Sequence, residues 1–340
     1  MSRQNKKTNR TILTVSLLAA AVLIGVALFF ALRPDRAPAP TEAPQTPALT
    51  ETPQEPALQA TYDKYLISPS LKKDLAPNEA AYRSVFDAAD AYAERADVSD
   101  FALTEDEVAK ISQAIFDRSE FVYLSGMSLS QDGKSIELSY SPAYTKEQAL
   151  AAKDAFREKV TSMLSAISAV SSTKTDAVLA LYTRLSKETT YNEQAEDVGA
   201  YGMMVNGEGI CTGYAYAMRY VLDQLGIENC LAFSNDESHV WNIVKMNDSF
   251  YHLDATWENG CNKAVPTLLY FGQDDAARRQ TTGFDGWYTR VNSLQEKQPS
   301  PECGNALFAP LAESATAEVD YSKHQIIYTD YNDVANTLNY

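Results

Sequence analysis

The sequence predicts an α+β protein: a helix that bears a cysteine and packs on an antiparallel sheet, preceded by a module of helices and a β-hairpin. Three observations carry that expectation. Apolar residues recur at helical spacing in 78–96 and in 214–225. They alternate with a period of two in 121–129, 136–140, 239–246 and 250–257. Asn247-Asp248 then joins the last two alternating runs as a two-residue hairpin signal, so those runs pair antiparallel.

The chain has 340 residues, of which 45% are hydrophobic, enough to build packed cores. A formal net charge of -16 opposes binding to polyphosphate and to anionic membrane surfaces, so nucleic acid is excluded as a partner. At the N-terminus, Thr11 to Leu32 is an uncharged, mostly apolar run of 22 residues. Helical rise makes that run long enough to cross a hydrocarbon core of roughly 30 Å. Residues 1–10 form a basic tail in which Arg3, Lys6, Lys7 and Arg10 favour the cytoplasmic side. Arg33 and Arg36, on the far flank, weaken that bias. The expectation is a single-pass plasma-membrane anchor over 11–32 with the rest outside; secretion after signal cleavage is the alternative. Residues 33–60 follow as a spacer, because seven prolines between Pro34 and Pro56 favour extended, uncored chain.

Residues 61–172 are expected to form the N-terminal module. The span 78–96 reads as a helix with Tyr82, Val85, Phe86 and Ala89 on one face. Thr104 with Glu107 forms a capping box ahead of Val108, Ile111 and Ile115. The turn Gln131-Asp132-Gly133-Lys134 joins two alternating runs into a hairpin, and Thr145 with Gln148 caps a further helix. Nothing in this module has catalytic spacing, and a supporting role is expected of it.

Residues 173–340 carry the chemistry. A glycine-rich run around Asn206 ends at Ile210-Cys211-Thr212-Gly213 and gives way to the helix over 214–225, which Gly226 stops. Cys211 therefore stands at or just before a helix N-terminus. Unpaired amides and the positive end of the helix dipole there favour a thiolate nucleophile and could bind an oxyanion. Further on, His239 opens one strand and Asp254 lies near the end of its hairpin partner. With a two-residue turn, Met246 pairs with Ser249 and Trp241 with Asp254, which puts Asp254 diagonal to His239 on one face. A nucleophile, an acid or base, and a carboxylate to orient it are the parts of covalent acyl transfer. A register slip of one residue would turn Asp254 away.

Three ordered blocks resemble the core of the bacterial transglutaminase-like superfamily. They are Ile210-Cys211-Thr212-Gly213-Tyr214-Ala215, His239-Val240-Trp241-Asn242 and Tyr251-His252-Leu253-Asp254-Ala255-Thr256-Trp257, within a resemblance that covers roughly residues 175 to 275. It implies a papain-like α+β fold, a thioester on Cys211, His239 as general acid and base, Asp254 as its orienter, and no metal or other cofactor. The side chain that completes the family's oxyanion hole has no clear match here, and Asn206 is the candidate.

Blander roles exist for each residue. A lone cysteine at a helix start is more often a buried small hydrophobe, and the matched histidine and aspartate blocks reverse that preference. Trp241 and Trp257 read as core or cleft walls, and His252 as a structural neighbour of Asp254. The strand cysteine Cys230 reads as core, and pairing of Cys261 with Cys303 stays open. Residues after Gln273 lose clear periodicity and read as loops and short strands that shape the cleft, ending in a strand at Gln325-Ile326-Ile327-Tyr328. The substrate expected is an amide in protein or cell-wall peptide. Hydrolysis is favoured over transfer to an amine because a solvent-facing site meets water at high concentration; a non-catalytic surface binding module is the third possibility.

Overall fold

The computed structural model describes residues 60–261, 265–290 and 296–340. The expected membrane span and spacer lie outside these residues, and no helix among the described ones is long and apolar enough to cross a membrane.

The N-terminal module begins with α1 (Pro69–Leu75), whose proline needs no amide partner in the first turn. In α2 (Glu79–Asp90) the predicted face of Tyr82, Val85, Phe86 and Ala89 is buried. Strand β1 (Arg95–Asp97) follows, and then α3 (Glu105–Phe116), which starts on the reciprocal Thr104–Glu107 capping box. The predicted hairpin is β2 (Leu124–Leu129) and β3 (Ser135–Tyr140), turned at Gly133, where φ is 70° and a side chain would be strained. Strand β1 adds to the other edge of β3, and the helices cover the sheet to enclose a core around Phe86, Ile115 and Tyr123.

Two capped helices connect this core to the next. The first, α4 (Lys146–Ser168), gives Ala149 to the N-terminal core and Phe156, Val160, Leu164 and Ile167 to the second. The second is α5 (Lys174–Glu188), with a Thr173–Asp176 capping box. Strand β4 (Thr190–Tyr191) pairs in parallel with β5 (Glu208–Gly209), which feeds directly into α6 (Cys211–Gln224). Gly226, at φ 65°, ends α6 as expected.

Behind α6 lies an antiparallel sheet of β6 (Asn229–Ser234), β7 (Val240–Met246), β8 (Ser249–Leu253), β9 (Phe271–Gln273) and β10 (Trp287–Arg290), ordered β10-β6-β7-β8-β9. The α6 helix packs on β6 and β7. This is the expected α+β arrangement of a cysteine-bearing helix on an antiparallel sheet. The hairpin register is also the expected one: Met246 faces Ser249, with pairing continuing to Asn242 and Leu253. Its turn residues Asn247 and Asp248 both have positive φ, at 47° and 61°.

The helix expected over 78–96 ends at Asp90 and gives way to β1, and three further sequence expectations are corrected. The run 250–257 is not one strand: β8 stops at Leu253 and α7 (Ala255–Cys261) begins, because the Asp254 carboxylate accepts the Trp257 amide at 3.1 Å and caps a helical turn. After Gln273 the chain forms α8 (Asp275–Thr282), with the Asp274 carboxylate accepting the Ala277 amide at 2.6 Å and Gly283 as its left-handed stop. The C-terminal residues form a meander of β11 (Ser314–Asp320), β12 (Gln325–Asp330) and β13 (Ala335–Asn339), which gives Ala317, Ile326 and Leu338 to the second core. It meets the first turn of α5, where Asp176 accepts Tyr340 Oη at 2.9 Å and interacts with His324 Nδ1 at 3.1 Å.

Candidate active site

Close backbone packing sets the position of Cys211. A Cβ on Gly202 would lie 1.9 Å from the Asp197 carbonyl oxygen, and one on Gly213 would lie 2.9 Å from that of Val198. Thr212 Oγ1 donates to the same Val198 oxygen at 3.1 Å. The 197–199 backbone is thereby laid against the first turn of α6. The first bond of that turn runs from Tyr214 N to Ile210 O at 3.2 Å, so the amides of Cys211, Thr212 and Gly213 precede the helical ladder. Asn242 Nδ2 donates to Ala215 O at 3.0 Å and ties the histidine's strand to the cysteine's helix.

His239 stands just before β7, with its amide donating to Ser234 Oγ at 3.0 Å. Its Nε2 lies 2.7 Å from Asp254 Oδ2, and a carboxylate only accepts, so Nε2 carries the proton. Nδ1 is buried and has no hydrogen-bond partner among the described residues. The Cys211 thiol is the group that interacts with the imidazole beside Asp254. Burial opposes protonation of His239, but the charge and hydrogen bond of Asp254, with Cys211, outweigh it and raise the pKa to about 9. Burial opposes ionisation of Asp254, yet His239, Arg278 and the Trp257 amide hold the carboxyl below its usual range. Cys211, His239 and Asp254 are 2%, 3% and 1% exposed, so the expectation of a solvent-facing site is corrected: Tyr216 and Phe233 pack around the cysteine.

Residues 161–255 match the family model of the transglutaminase-like superfamily. The chain is thus similar, over this span, to transglutaminase-like domains. Two solved structures are similar to it: a TGase, at 16% identity over 63% of this chain with a TM-score of 0.28, and a protein described as a putative cysteine protease from Cytophaga hutchinsonii, at 10% identity over 44% with a TM-score of 0.26. The chain spans 61% of the first and 55% of the second, and neither overlay is close enough to add to the family match. No curated protein matches.

The other sequence candidates divide. Trp241 and Trp257 are buried and stack on the His239 ring at centroid distances of 5.8 and 5.1 Å, so they wall in the imidazole. Asn206 is not brought to the triad. It is exposed at the end of a π-helical turn and lines a different hollow with Lys159 and Arg184, and among the described residues no hydrogen bond joins it to Cys211, His239 or Asp254. The half-buried Tyr191, paired with Gly209 just ahead of the cysteine, stands closer: burial first and Cys211 second raise its pKa.

Sequence reasoning missed Arg278 and Phe284. Arg278 is 0% exposed and donates through Nη2 to Asp254 Oδ2 at 2.8 Å, the oxygen that also serves His239. Phe284 stacks over both His239 and Trp241. Asp274 and Gly283, a cap and a stop on either side of eight residues, were the available signal for the helix that carries Arg278.

Behind the triad, His252 Nε2, Asp275 and Cys303 Sγ lie within 4.8 Å of one another, a spacing that could suit a metal ion. Hydrogen bonding argues otherwise. Trp241 Nε1, which only donates, meets His252 Nδ1 at 2.9 Å, so the neutral ring keeps its proton on Nε2 and gives it to Asp275 Oδ1 at 2.9 Å. Burial lowers the His252 pKa to about 4, which keeps the ring neutral. The cluster holds Trp241 in place and has no free nitrogen for a metal. Among the described residues no disulfide joins Cys261 to Cys303. Burial raises the Cys230 thiol to about 12, as suits a core cysteine.

Proposed function

We propose that the transglutaminase-like domain cleaves amide bonds in protein or cell-wall peptide through a thioester on Cys211. One observation carries this reading: a buried imidazole bonded through Nε2 to Asp254, with Nδ1 left for the cysteine. His239 Nδ1 takes the Cys211 thiol proton, the sulfur attacks the amide carbon, and the first amides of α6 are available to the oxyanion. The C–N bond then breaks, and His239 Nδ1–H protonates the departing amine. Water, deprotonated by the same nitrogen, attacks the thioester and returns a free thiol and a carboxylic acid. A second reading, attack by a primary amine in place of water, is favoured by the burial of Cys211 at 2% exposure, which restricts solvent. The apolar run 11–32 and the basic residues before it support an extracytoplasmic, membrane-anchored domain, with 33–60 as its spacer.

The test uses the full-length chain with wild-type, Cys211→Ala and His239→Ala forms. Cys211 alkylation by iodoacetamide is followed against pH by peptide mass, alongside cleavage of a peptide pool and incorporation of a fluorescent primary amine into a glutamine-rich protein. The expected result is alkylation below pH 7 that slows at least tenfold in His239→Ala, with cleavage abolished in Cys211→Ala. Amine incorporation exceeding cleavage would select the transfer reading. Equally slow alkylation in wild type and His239→Ala would overturn catalysis and leave a binding module. For location, protease added to intact cells is expected to remove residues 61–340 from the membrane fraction; full protection would overturn an outward-facing domain.

A further inference from the structure

The proposed mechanism uses three side chains, but the carboxylate that serves it is shared by a fourth. Arg278, on α8, is fully buried and reaches Asp254 Oδ2 at 2.8 Å, while His239 Nε2 reaches the same oxygen at 2.7 Å. Its guanidinium lies 4.1 Å from the Trp241 ring centroid, 4.9 Å from Trp257 and 5.8 Å from Phe284. Those three rings also stack on His239. Arg278 and His239 are thus held in one aromatic cage and compete for one anionic oxygen. Among the described residues the buried Nε and Nη1 atoms of Arg278 have no hydrogen-bond partner. A buried guanidinium so incompletely bonded is costly, and a salt bridge serving stability alone is poorly built this way.

We propose that Arg278 is a positioning residue that holds Asp254 ionised and in place and limits how tightly Asp254 lets His239 keep its proton. The inference rests on the acyl-transfer reading above. That reaction needs an imidazolium that forms beside Cys211 and then surrenders its proton to the leaving amine. A lone buried carboxylate 2.7 Å away would hold the imidazolium too firmly. A fixed cation on the same oxygen draws off part of that attraction and repels the imidazolium directly. Asp254 keeps its place by other bonds as well, since its Oδ1 accepts the Trp257 amide at 3.1 Å and its own amide donates to Tyr270 O at 3.0 Å. The charged and titratable groups around the pair are Asp254 at the end of β8, Cys211 on α6, Tyr182 on α5, Tyr270 ahead of β9, and His252, held neutral on β8. Among these groups Arg278 is the cation that shares Asp254 with His239.

The test is the titration of His239 itself, by NMR of the full-length chain labelled at histidine Cε1; the sequence has three histidines, and His239→Gln assigns the signal. Arg278→Gln and Arg278→Met remove the charge, the second filling the slot between the rings with an unbranched apolar side chain, and Arg278→Lys keeps it. The expected result is an upward shift of the His239 midpoint by about one pH unit in whichever neutral variant folds. Arg278→Lys is expected to stay within about 0.3 units of wild type. An unchanged midpoint in the neutral variants, or a fall towards 6.5, would overturn the inference and leave Arg278 a structural cation. A wild-type His239 that does not titrate above 6.5 would instead count against the acyl-transfer reading, so the two failures are distinguishable.

Discussion

His239 has properties that its sequence neighbours do not set. Its ring binds a proton more tightly folded, at about 9, than in the unfolded chain, near 6.5. The protonated ring therefore stabilises the fold fully below pH 6.5, and that contribution is lost as pH rises through 9. The difference corresponds to about 3 kcal/mol. Between pH 6.5 and 10, urea unfolding of the wild type is expected to lose about this much more stability than His239→Gln, the buried Cys230 thiol adding the same loss to both. Asp254 is the same interaction seen from the anion, and its share is lost as pH falls through its depressed folded pKa. Asp254→Asn would strip Arg278 of its anion in a fully buried cage, with an expected loss of about 3 to 5 kcal/mol in the same assay. In that variant the His239 midpoint is expected to drop below 6.5, because burial and the Arg278 charge would then be opposed by Cys211 alone.

Elements depend on close backbone contacts as much as on apolar faces. Gly213 lies in the first turn of α6, where a methyl group would come 2.9 Å from the Val198 carbonyl oxygen and 3.1 Å from that of Gly199. Gly213→Ala is expected to push the start of the helix outward, lowering stability by about 1 to 3 kcal/mol in thermal unfolding and slowing Cys211 alkylation at least tenfold. The helices of the N-terminal module were legible because their caps are local: Thr104 with Glu107 and Thr145 with Gln148 both close as capping boxes. The 247–248 turn was legible for the same reason, and it fixed the register that brings Asp254 to His239. The end of β8 was not legible, because 250–257 keeps its alternating pattern while the Asp254 carboxylate starts a helix that no period announces.

At the scale of the whole molecule, the two cores are joined through the helix that carries the cysteine. The second half of α6 is bound to the N-terminal module by Arg219 on Asp117 and by Tyr220 Oη, which donates to Glu120 at 3.0 Å and accepts from Arg118 Nη2 at 3.0 Å. Glu120 is fully buried and pairs with Arg118 at 2.7 Å. With α4 shared between both cores, the two are expected to unfold together. Glu120→Gln leaves Arg118 with no buried anion, with an expected loss of about 3 to 5 kcal/mol. Calorimetry is expected to show one transition at a lower Tm; two separated transitions in the wild type would argue against cooperative unfolding. A supporting role for the N-terminal module, expected from its lack of catalytic spacing, gains a physical form here: it clamps the far end of the nucleophile's helix.

The sequence by itself determined whatever depends on residues close along the chain. That includes the caps and hairpins, the cysteine at a helix start, and the diagonal placement of Asp254 on His239, because a period of two and a two-residue turn leave one register that buries the right face. Only the tertiary structure decided what surrounds that diagonal. The burial of Cys211, Arg278 on the far side of Asp254, Phe284 over the imidazole and the exclusion of Asn206 all depend on segments 22 to 47 residues apart being packed together. Such approaches are set by the filling of a core, and local pattern holds no record of which distant side chain fills it.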